Sequence, residues 1–347
     1  MATMEDVARL AGVSITTVSH VINGTRPASE RTVRRVKEAI ERTGYSQNTI
    51  ARALARSRTQ SLGLAVADLS NPALIDVIAS AEEAARSAGY TLLLGDTGDD
   101  PGHELEIVRA LVERRVDGLL LTPGPGAEDG ALAYLARQRL PAVLLDRVVP
   151  AELDQVAGEN LAPTAQLVTH LAEHGYRRIA MVHGTPGIST TTERIEGYRL
   201  GLRESGLEED PALLVEGGSR SDGGRAAMER LLDTAEPPTA VVSGNNLMTI
   251  GILRAIAARG LRVPGDVALA GFDDFDWAEL FHPRLTVIAQ PTSRLGRRAV
   301  ELLLSRLENP QLPPRTIRLE AAFRRRESCG CGPRVADAEP RRHRRDP

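Results

Sequence analysis

The sequence predicts a small all-α head, a short linker, and an α/β core of two doubly wound lobes built on parallel sheets. Three observations carry this. Residues 3–44 hold three short helical stretches set off by capping residues and glycines. Residues 45–60 have no apolar stripe wide enough to anchor them. From Ser61 on, aliphatic runs alternate with amphipathic helical patterns, which is the sign of βαβ units and parallel sheet. Eight or more strand-like runs fit two sheets better than one, and 347 residues suit roughly two to three domains.

The elements follow in order. Thr3 can cap a first helix, with Asp6 placed to complete a capping box. Val7 and Leu10 lie three apart and share a face, and Gly12 breaks the run. Ser14 can cap a second helix, Ile15 to Ile22, with Val18, Val21 and Ile22 turned inward and Asn23-Gly24 as its stop. Ser29 can cap a third, whose inner stripe is Val33, Val36 and Ile40 and whose stop is Gly44. Two helices joined by a tight glycine turn make a helix-turn-helix. Thr16, Thr17, Ser19 and His20 lie on the outer side of its second helix, where they can bond base edges or phosphates in a major groove. The segment Asn48–Arg56 has room for about two helical turns, too few to be stable alone in water.

In the core, strands are expected at Leu62–Leu69, Thr91–Leu94, Gly118–Leu121, Ala142–Leu145, Ile179–Val182, Ala240–Val242, Val267–Ala270 and Leu285–Ile288. Helices are expected at Ile75–Ala88, Glu104–Arg114, Ala165–Glu173, Thr192–Glu204, Gly223–Leu232 and Leu247–Arg259. Aromatic residues make up only 3% of the chain, so the core must be aliphatic.

Charge separates the same parts. The chain is net −3, but residues 1–60 carry ten cations against five anions, and the stretch from Arg324 onward is also basic. A basic head on an acidic body suits a polyanion-binding module attached to something else. No apolar run approaches the ~18 residues of a membrane helix. The N-terminus lacks the basic and apolar regions of a secretory signal, so the expected compartment is the cytoplasm. Gly184-Thr185-Pro186-Gly187 and Gly95-Asp96-Thr97-Gly98 lack the Lys of a phosphate-binding P-loop, and there is no nucleophile elbow. An enzyme is therefore not expected, nor any cofactor. A free-standing solute-binding protein would fit the core but not the basic head. The seven histidines show no metal spacing, and Cys329 and Cys331, alone in a Gly-rich tail, are expected to be inert thiols that bind no metal.

The residues Asp6-Val7-Ala8-Arg9-Leu10-Ala11-Gly12-Val13-Ser14, followed by Thr17-Val18-Ser19-His20-Val21-Ile22-Asn23, resemble the head of the LacI family of bacterial transcription regulators, most closely its purine-responsive members. Gly44-Tyr45 and Ala51-Arg52-Ala53-Leu54 continue the match. In the core, His174-Gly175-Tyr176-Arg177-Arg178-Ile179, Val263-Pro264-Gly265-Asp266-Val267 and Gly271-Phe272-Asp273-Asp274 are similar to family signatures. The resemblance covers roughly residues 3–328. It implies a helix-turn-helix head at 1–45, a hinge helix at 46–60, and a core at 61–328 like a periplasmic sugar-binding protein. Lobe 1 would take 61–159 and 291–318, and lobe 2 would take 160–290 and 319–328. The chain would cross near Glu159, Gln290 and Arg318. The tail, 329–347, falls outside the pattern and is expected to be disordered.

The resemblance also implies roles. Ile15, Thr16 and His20 occupy base-reading positions, Ile15 by apolar contact and His20 as a donor to guanine. Ser14, Thr17, Ser19, Asn23 and Arg26 would hold phosphates, Arg26 with a base as a second option. Thr3, Tyr45, Asn48 and Ala51 join the DNA-facing set. Leu54 sits at the wedge position, where two copies in a dimer part a base step in the minor groove. Gln47 and Ala55 depart from the usual hinge pattern. The effector positions map to Ala73, Leu74, Asp146 and Arg147 in lobe 1. In lobe 2 they map to Arg194, Ser219, Asn246 and Asp273, with Gln290 at the crossover and Trp277 and Phe281 as a candidate aromatic wall. Ala73 and Leu74 replace the aromatic platform that a purine would need, so a sugar or sugar derivative is favoured. Implied partners are near-palindromic operator DNA, that small-molecule effector, and a second copy of the chain in a homodimer, with a tetramer open and no membrane.

Overall fold

The computed structural model of the chain describes residues 2–23, 26–45 and 58–331. The chain divides into two compact units, residues 1–60 and 61–347.

The first unit holds α1 (Met4–Ala11), α2 (Ile15–Asn23) and α3 (Glu30–Thr43). The capping box is present. The Asp6 N–H donates to Thr3 Oγ1 at 3.3 Å, and the Thr3 N–H donates to Asp6 Oδ2 at 2.9 Å. The Thr3 N–H, and the Thr3 hydroxyl at 2.8 Å, donate to the Asp6 carboxyl and hold it below the usual carboxylate range. Gly12, at φ 61°, ends α1 in the left-handed region that favours glycine. The Ser14 hydroxyl accepts from the Thr17 N–H at 3.1 Å, and Ser29 caps α3 through the Thr32 N–H. Val7, Ala8, Ala11, Val18, Val36 and Ala39 are buried together. Ala39 takes a central place in α3 that the sequence stripe assigned to its neighbours, and Val33 is only partly buried.

The second unit begins with β1 (Ser61–Val66), α4 (Pro72–Ser87), β2 (Thr91–Asp96), α5 (Pro101–Glu113), β3 (Gly118–Leu121), α6 (Ala133–Gln138), β4 (Ala142–Leu145) and β5 (Asp154–Gly158). It continues with α7 (Leu161–Glu173), β6 (Ile179–His183), α8 (Ser189–Glu204), β7 (Leu214–Glu216), α9 (Ser221–Leu232), β8 (Ala240–Ser243), α10 (Asn246–Ala258), β9 (Ala268–Phe272) and β10 (Thr286–Ala289). It ends with α11 (Thr292–Glu308), β11 (Thr316–Leu319) and β12 (Ala322–Arg324). One sheet has the order β11-β5-β4-β3-β1-β2, and the other β12-β10-β9-β8-β6-β7. Among the described residues all strand pairings are parallel except β10 with β12. The chain therefore passes between lobes after β5, after β10 and between Leu319 and Ala322.

The eight expected strands are present. Four further strands, β5, β7, β11 and β12, and two helices, α6 and α11, escaped the sequence reading. These strands are short or edge-placed, with polar residues such as Asp154, Gln155 and Glu216 in the run. α11 was masked by its four arginines. The first strand ends at Val66 rather than Leu69, and α4 starts at Pro72 rather than Ile75 because Asn71 caps it with Pro72 in the first turn. The tail boundary also moves. Ser328 and Cys329 are fully buried in lobe 2, so the expected break after residue 328 is not there.

Each lobe is stiffened by helix pairs that meet at glycines. A Cβ on Gly197 of α8 would lie 2.3 Å from the Leu161 carbonyl of α7. One on Gly251 of α10 would lie 2.0 Å from the Ser221 carbonyl of α9, and one on Gly296 of α11 would lie 2.2 Å from the Val77 carbonyl of α4. Backbone cannot yield as a flexible side chain can. Gly197→Ala and Gly251→Ala should therefore each lower the stability of the core by about 1–3 kcal/mol in urea unfolding. An unchanged midpoint for both would mean that the helix pairs separate without cost.

Candidate functional sites: the head helix and the interlobe cleft

In the head, α2 presents its first turn to solvent. Ile15 is 48% exposed, a large value for a residue with nothing polar to offer water, and Thr16 beside it is exposed too. Thr17 is tied to Ser14, hydroxyl to hydroxyl, at 2.9 Å. Ser19 and His20 are half-buried on the same helix, and Arg26 is exposed. Thr3 serves in the capping box. Tyr45 packs against the head core, so its ring has a structural task there. Asn23 ends α2, while the hinge positions Gln47, Asn48, Ala51, Leu54 and Ala55 lie outside the described residues.

The second unit has a cleft between its lobes, at the carboxyl ends of the strands, where ligands bind in open α/β sheets. Its lining includes Ala73, Leu74, Asp146, Arg147, Arg194, Ser219, Asp273 and Gln290. All eight were singled out from sequence. On the lobe 1 side, Asp146 leaves β4 at φ 70°, a left-handed conformation rare outside glycine. Burial pushes its carboxyl above the ordinary range, against the pull of Arg147 and Arg194. Arg147 donates from Nη2 to Asp99 Oδ2 at 2.9 Å and from Nη1 to the Pro123 carbonyl at 3.0 Å. Burial opposes its charge, but the Asp99 carboxylate outweighs burial and raises the Arg147 pKa. Behind it Glu104 is buried and accepts from the Gly124 N–H at 2.6 Å, while burial pushes its own pKa up.

On the lobe 2 side, Arg194 is buried. Its Nε donates to Asn160 Oδ1 at 2.9 Å and its Nη1 to the Gly244 carbonyl, and its guanidinium lies 3.7 Å from the Phe272 ring centroid. Burial lowers its pKa, with Asp273 and Asp146 opposing. Asp273, like Asp146, leaves its strand at positive φ, 75°, and accepts from Gln290 Nε2 at 2.6 Å. Ser219, at φ 60°, accepts from the Thr185 N–H at 3.2 Å. No aromatic side chain is among the lining residues described.

Three candidates fall outside this lining. Trp277 is 40% exposed and packs tilted against Phe275 at 4.6 Å between centroids, Phe281 packs edge-on to Phe275, and neither lines the cleft. The short helical turn Asp276–Glu279 turns the indole into that aromatic cluster. Asn246 does not line the cleft either, but its Nδ2 donates across the lobes to Asn71 Oδ1 at 3.1 Å. Asn71 also accepts from the Ala73 N–H at 3.0 Å as the cap of α4.

Sequence reading missed Asn71, Asn245 and Asp99. Asn71-Pro72 was a readable helix start, which would have placed Asn71 at the cleft end of α4. It also missed the crossover network. Asn160 Nδ2 donates to Glu193 Oε2 at 2.8 Å, and Glu193 accepts from Arg318 Nη1 at 2.9 Å. This ties β11 of lobe 1 to α8 of lobe 2 at the crossovers.

The family model described as bacterial regulatory proteins, lacI family, matches residues 3–48, and that for a periplasmic binding protein-like domain matches residues 168–329. The HTH-type transcriptional repressor PurR of Vibrio atlanticus (strain LGP32) is 34% identical over 310 residues, 89% of this chain and 93% of that protein. The Lac repressor dimer bound to operator and the anti-inducer ONPF superposes with a TM-score of 0.85 at 27% identity, over 94% of this chain and 99% of that one. The transcriptional regulator CelR in complex with cellobiose gives a TM-score of 0.72 at 33% identity, over 94% and 100%.

Asn246→Ala should loosen closure, because it removes the interlobe donor while leaving the Asn71 cap on α4. The expected result is a larger radius of gyration for the ligand-free protein in X-ray scattering, with about 1 kcal/mol lost from stability. An unchanged radius would mean the bond does not hold the lobes.

Proposed function

We infer, from the fact that this chain belongs to the lacI family of bacterial regulatory proteins, that it is a ligand-responsive, sequence-specific DNA-binding repressor and not an enzyme. It acts as a homodimer, so that two heads meet two half-sites about a shared two-fold axis. We place its action in the cytoplasm, where operator DNA lies.

In the head, the first turn of α2 enters the major groove. Ile15 offers apolar contact to a thymine methyl, and Thr16 and His20 read base edges. Ser14, Thr17, Ser19, Asn23 and Arg26 hold phosphates and fix the register, with Thr3, Tyr45, Asn48 and Ala51 completing the DNA-facing set. Leu54 is the minor-groove wedge. The observation that carries the reading is the exposed Ile15–Thr16 turn on a helix that packs Val18, Val21 and Ile22 against the head core.

In the core, the effector is a polyhydroxylated small molecule of the sugar class. A cleft lined by Asp146, Arg147, Arg194, Ser219, Asp273 and Gln290, with small aliphatic residues in place of aromatic ones, supports hydroxyl recognition over stacking of a flat base. Arg194 uses Nε and Nη1 inside the protein, which leaves Nη2 for the ligand. Asp273 keeps one carboxylate oxygen free of Gln290. Trp277 is not part of this set. Effector binding changes lobe closure, and closure changes how the paired hinges sit on DNA. The two sites are then coupled, and each alters the other's affinity by one and the same factor.

Selection of bound duplexes from a random DNA pool should return a palindrome with two half-sites, and a pool with no enriched sequence, with or without candidate sugars, would sink the reading. Replacing Ile15 or His20 by Ala should cost about 1–3 kcal/mol on that site and relax base preference at one position per half-site. A uniform loss across sequences would assign the residue to phosphate contact instead. Arg194→Ala should abolish the effector response and leave effector-free operator affinity within several-fold, measured by fluorescence anisotropy. Loss of that basal affinity would make Arg194 purely structural.

A further inference from the structure

The segment after β12 turns back onto α7 and brings four soft donors together. His170 and His174 stand one turn apart at the end of that helix, and Cys329 and Cys331 flank Gly330. His170 Nε2 is 3.2 Å from Cys329 Sγ and 3.4 Å from Cys331 Sγ, and His174 Nε2 is 3.1 Å from Cys331 Sγ. The donor atoms of His170, Cys329 and Cys331 all lie within 4.8 Å of one another. We propose that His170, His174, Cys329 and Cys331 form a tetrahedral site for a thiophilic divalent metal of the zinc class, which clasps the end of lobe 2 to α7.

Three features favour a metal over a set of hydrogen-bonded thiols. First, the spacing fits. Around a tetrahedral zinc, with Zn–S about 2.3 Å and Zn–N about 2.0–2.1 Å, neighbouring sulfur and nitrogen ligands lie roughly 3.5 Å apart. The sulfur–nitrogen edges from His170 to both cysteines and from His174 to Cys331, at 3.2, 3.4 and 3.1 Å, fall inside that value. Second, the imidazole of His174 is set for ligation. Its Nδ1 sits 2.8 Å from the His170 carbonyl, an atom that can only accept. The ring proton is therefore on Nδ1, and Nε2 turns a lone pair toward Cys331, the arrangement by which outer partners orient metal-bound histidines. Third, one cation satisfies both sulfurs and both imidazoles at once, wherever the protons would otherwise lie.

The surroundings are also prepared. The Thr286 hydroxyl accepts from the Arg326 N–H at 3.0 Å, so its own proton is directed to Cys329 Sγ at 3.1 Å, as suits a bound thiolate. Gly330 sits at φ 90°, where a Cβ would also meet the Tyr176 hydroxyl at 2.8 Å, so the Cys-Gly-Cys turn admits no other residue without strain. Cys329 and His170 are buried, while Cys331 is half-buried and His174 lies at the surface, which gives an ion a way in. Two sulfurs and two imidazoles in tetrahedral array select zinc over the oxygen-seeking cations. The cysteines lie more than 150 residues from the histidines in sequence, so only the fold assembles the set.

The test uses the full chain, reduced, stripped by a chelator and held without oxygen, with Co2+ as the spectroscopic probe. One Co2+ per chain should produce thiolate-to-cobalt charge transfer in the near ultraviolet and the visible bands of a tetrahedral ion. One equivalent of Zn2+ should abolish both and raise the melting temperature. Cys331→Ser, at a half-buried position, and His174→Ala, at an exposed one, should keep the melting temperature of the stripped protein and weaken Co2+ binding at least about tenfold. Cys331→Ser should also reduce the charge-transfer band. Absence of that band at stoichiometric Co2+, or an undiminished band and affinity in Cys331→Ser, overturns the proposal.

Discussion

The cleft is organised around one buried cation. Removing a guanidinium from water costs several kcal/mol unless its charge and its donors are met inside. Arg194 meets that demand from four directions, with the Asn160 amide oxygen, the Gly244 carbonyl, the Phe272 face and the fields of Asp273 and Asp146. Asn160 lies at the first crossover, and Asp146 belongs to the opposite lobe. The solvation of one side chain thus depends on the hinge and on how the lobes face each other. A ligand that bonds Arg194 or displaces Asp146 changes the electrostatic balance of closure itself.

That balance can act as a switch only if each lobe moves as a body. The glycine contacts supply the stiffness. Helices α7 with α8, α9 with α10, and α4 with α11 meet where a glycine of one faces a backbone carbonyl of the other. The bonds that join the lobes are fewer and polar. They include Asn246 to Asn71, Arg318 to Glu193, and the Val148 N–H to the Ser189 hydroxyl. Dense packing within lobes and sparse polar contact between them is the physical division that a hinge requires.

Much of this was legible in the sequence because the signals were local. Caps at Thr3, Ser14 and Ser29 fixed the head helices, and aliphatic runs fixed the central strands of both sheets. Short strands with polar residues were harder. β5 and the edge strand β7 mix polar and apolar residues, and the edge strands β11 and β12 follow a turn-rich stretch after a helix whose arginines hid its apolar stripe. In the cleft, positions that follow strand ends were readable, since the end of a parallel strand is where ligands bind. Trp277 misled because aromatic character alone does not say which way a ring turns, and here it turns to Phe275. The crossover network and the cysteine–histidine cluster were invisible for one common reason. The network's residues, and the histidine and cysteine pairs of the cluster, are distant from one another in sequence, and no spacing rule joins them.

The triple passage between lobes has a consequence for how the molecule comes into being. The last strand of each sheet, β11 in one lobe and β12 in the other, lies within a few residues of its counterpart near the end of the chain. On the ribosome, where synthesis runs from the N-terminus, the three-helix head is complete long before either sheet can close its edge. A nascent or prematurely ended chain therefore has its head before it has a sensor, and no truncation before β11 can spare one lobe at the expense of the other.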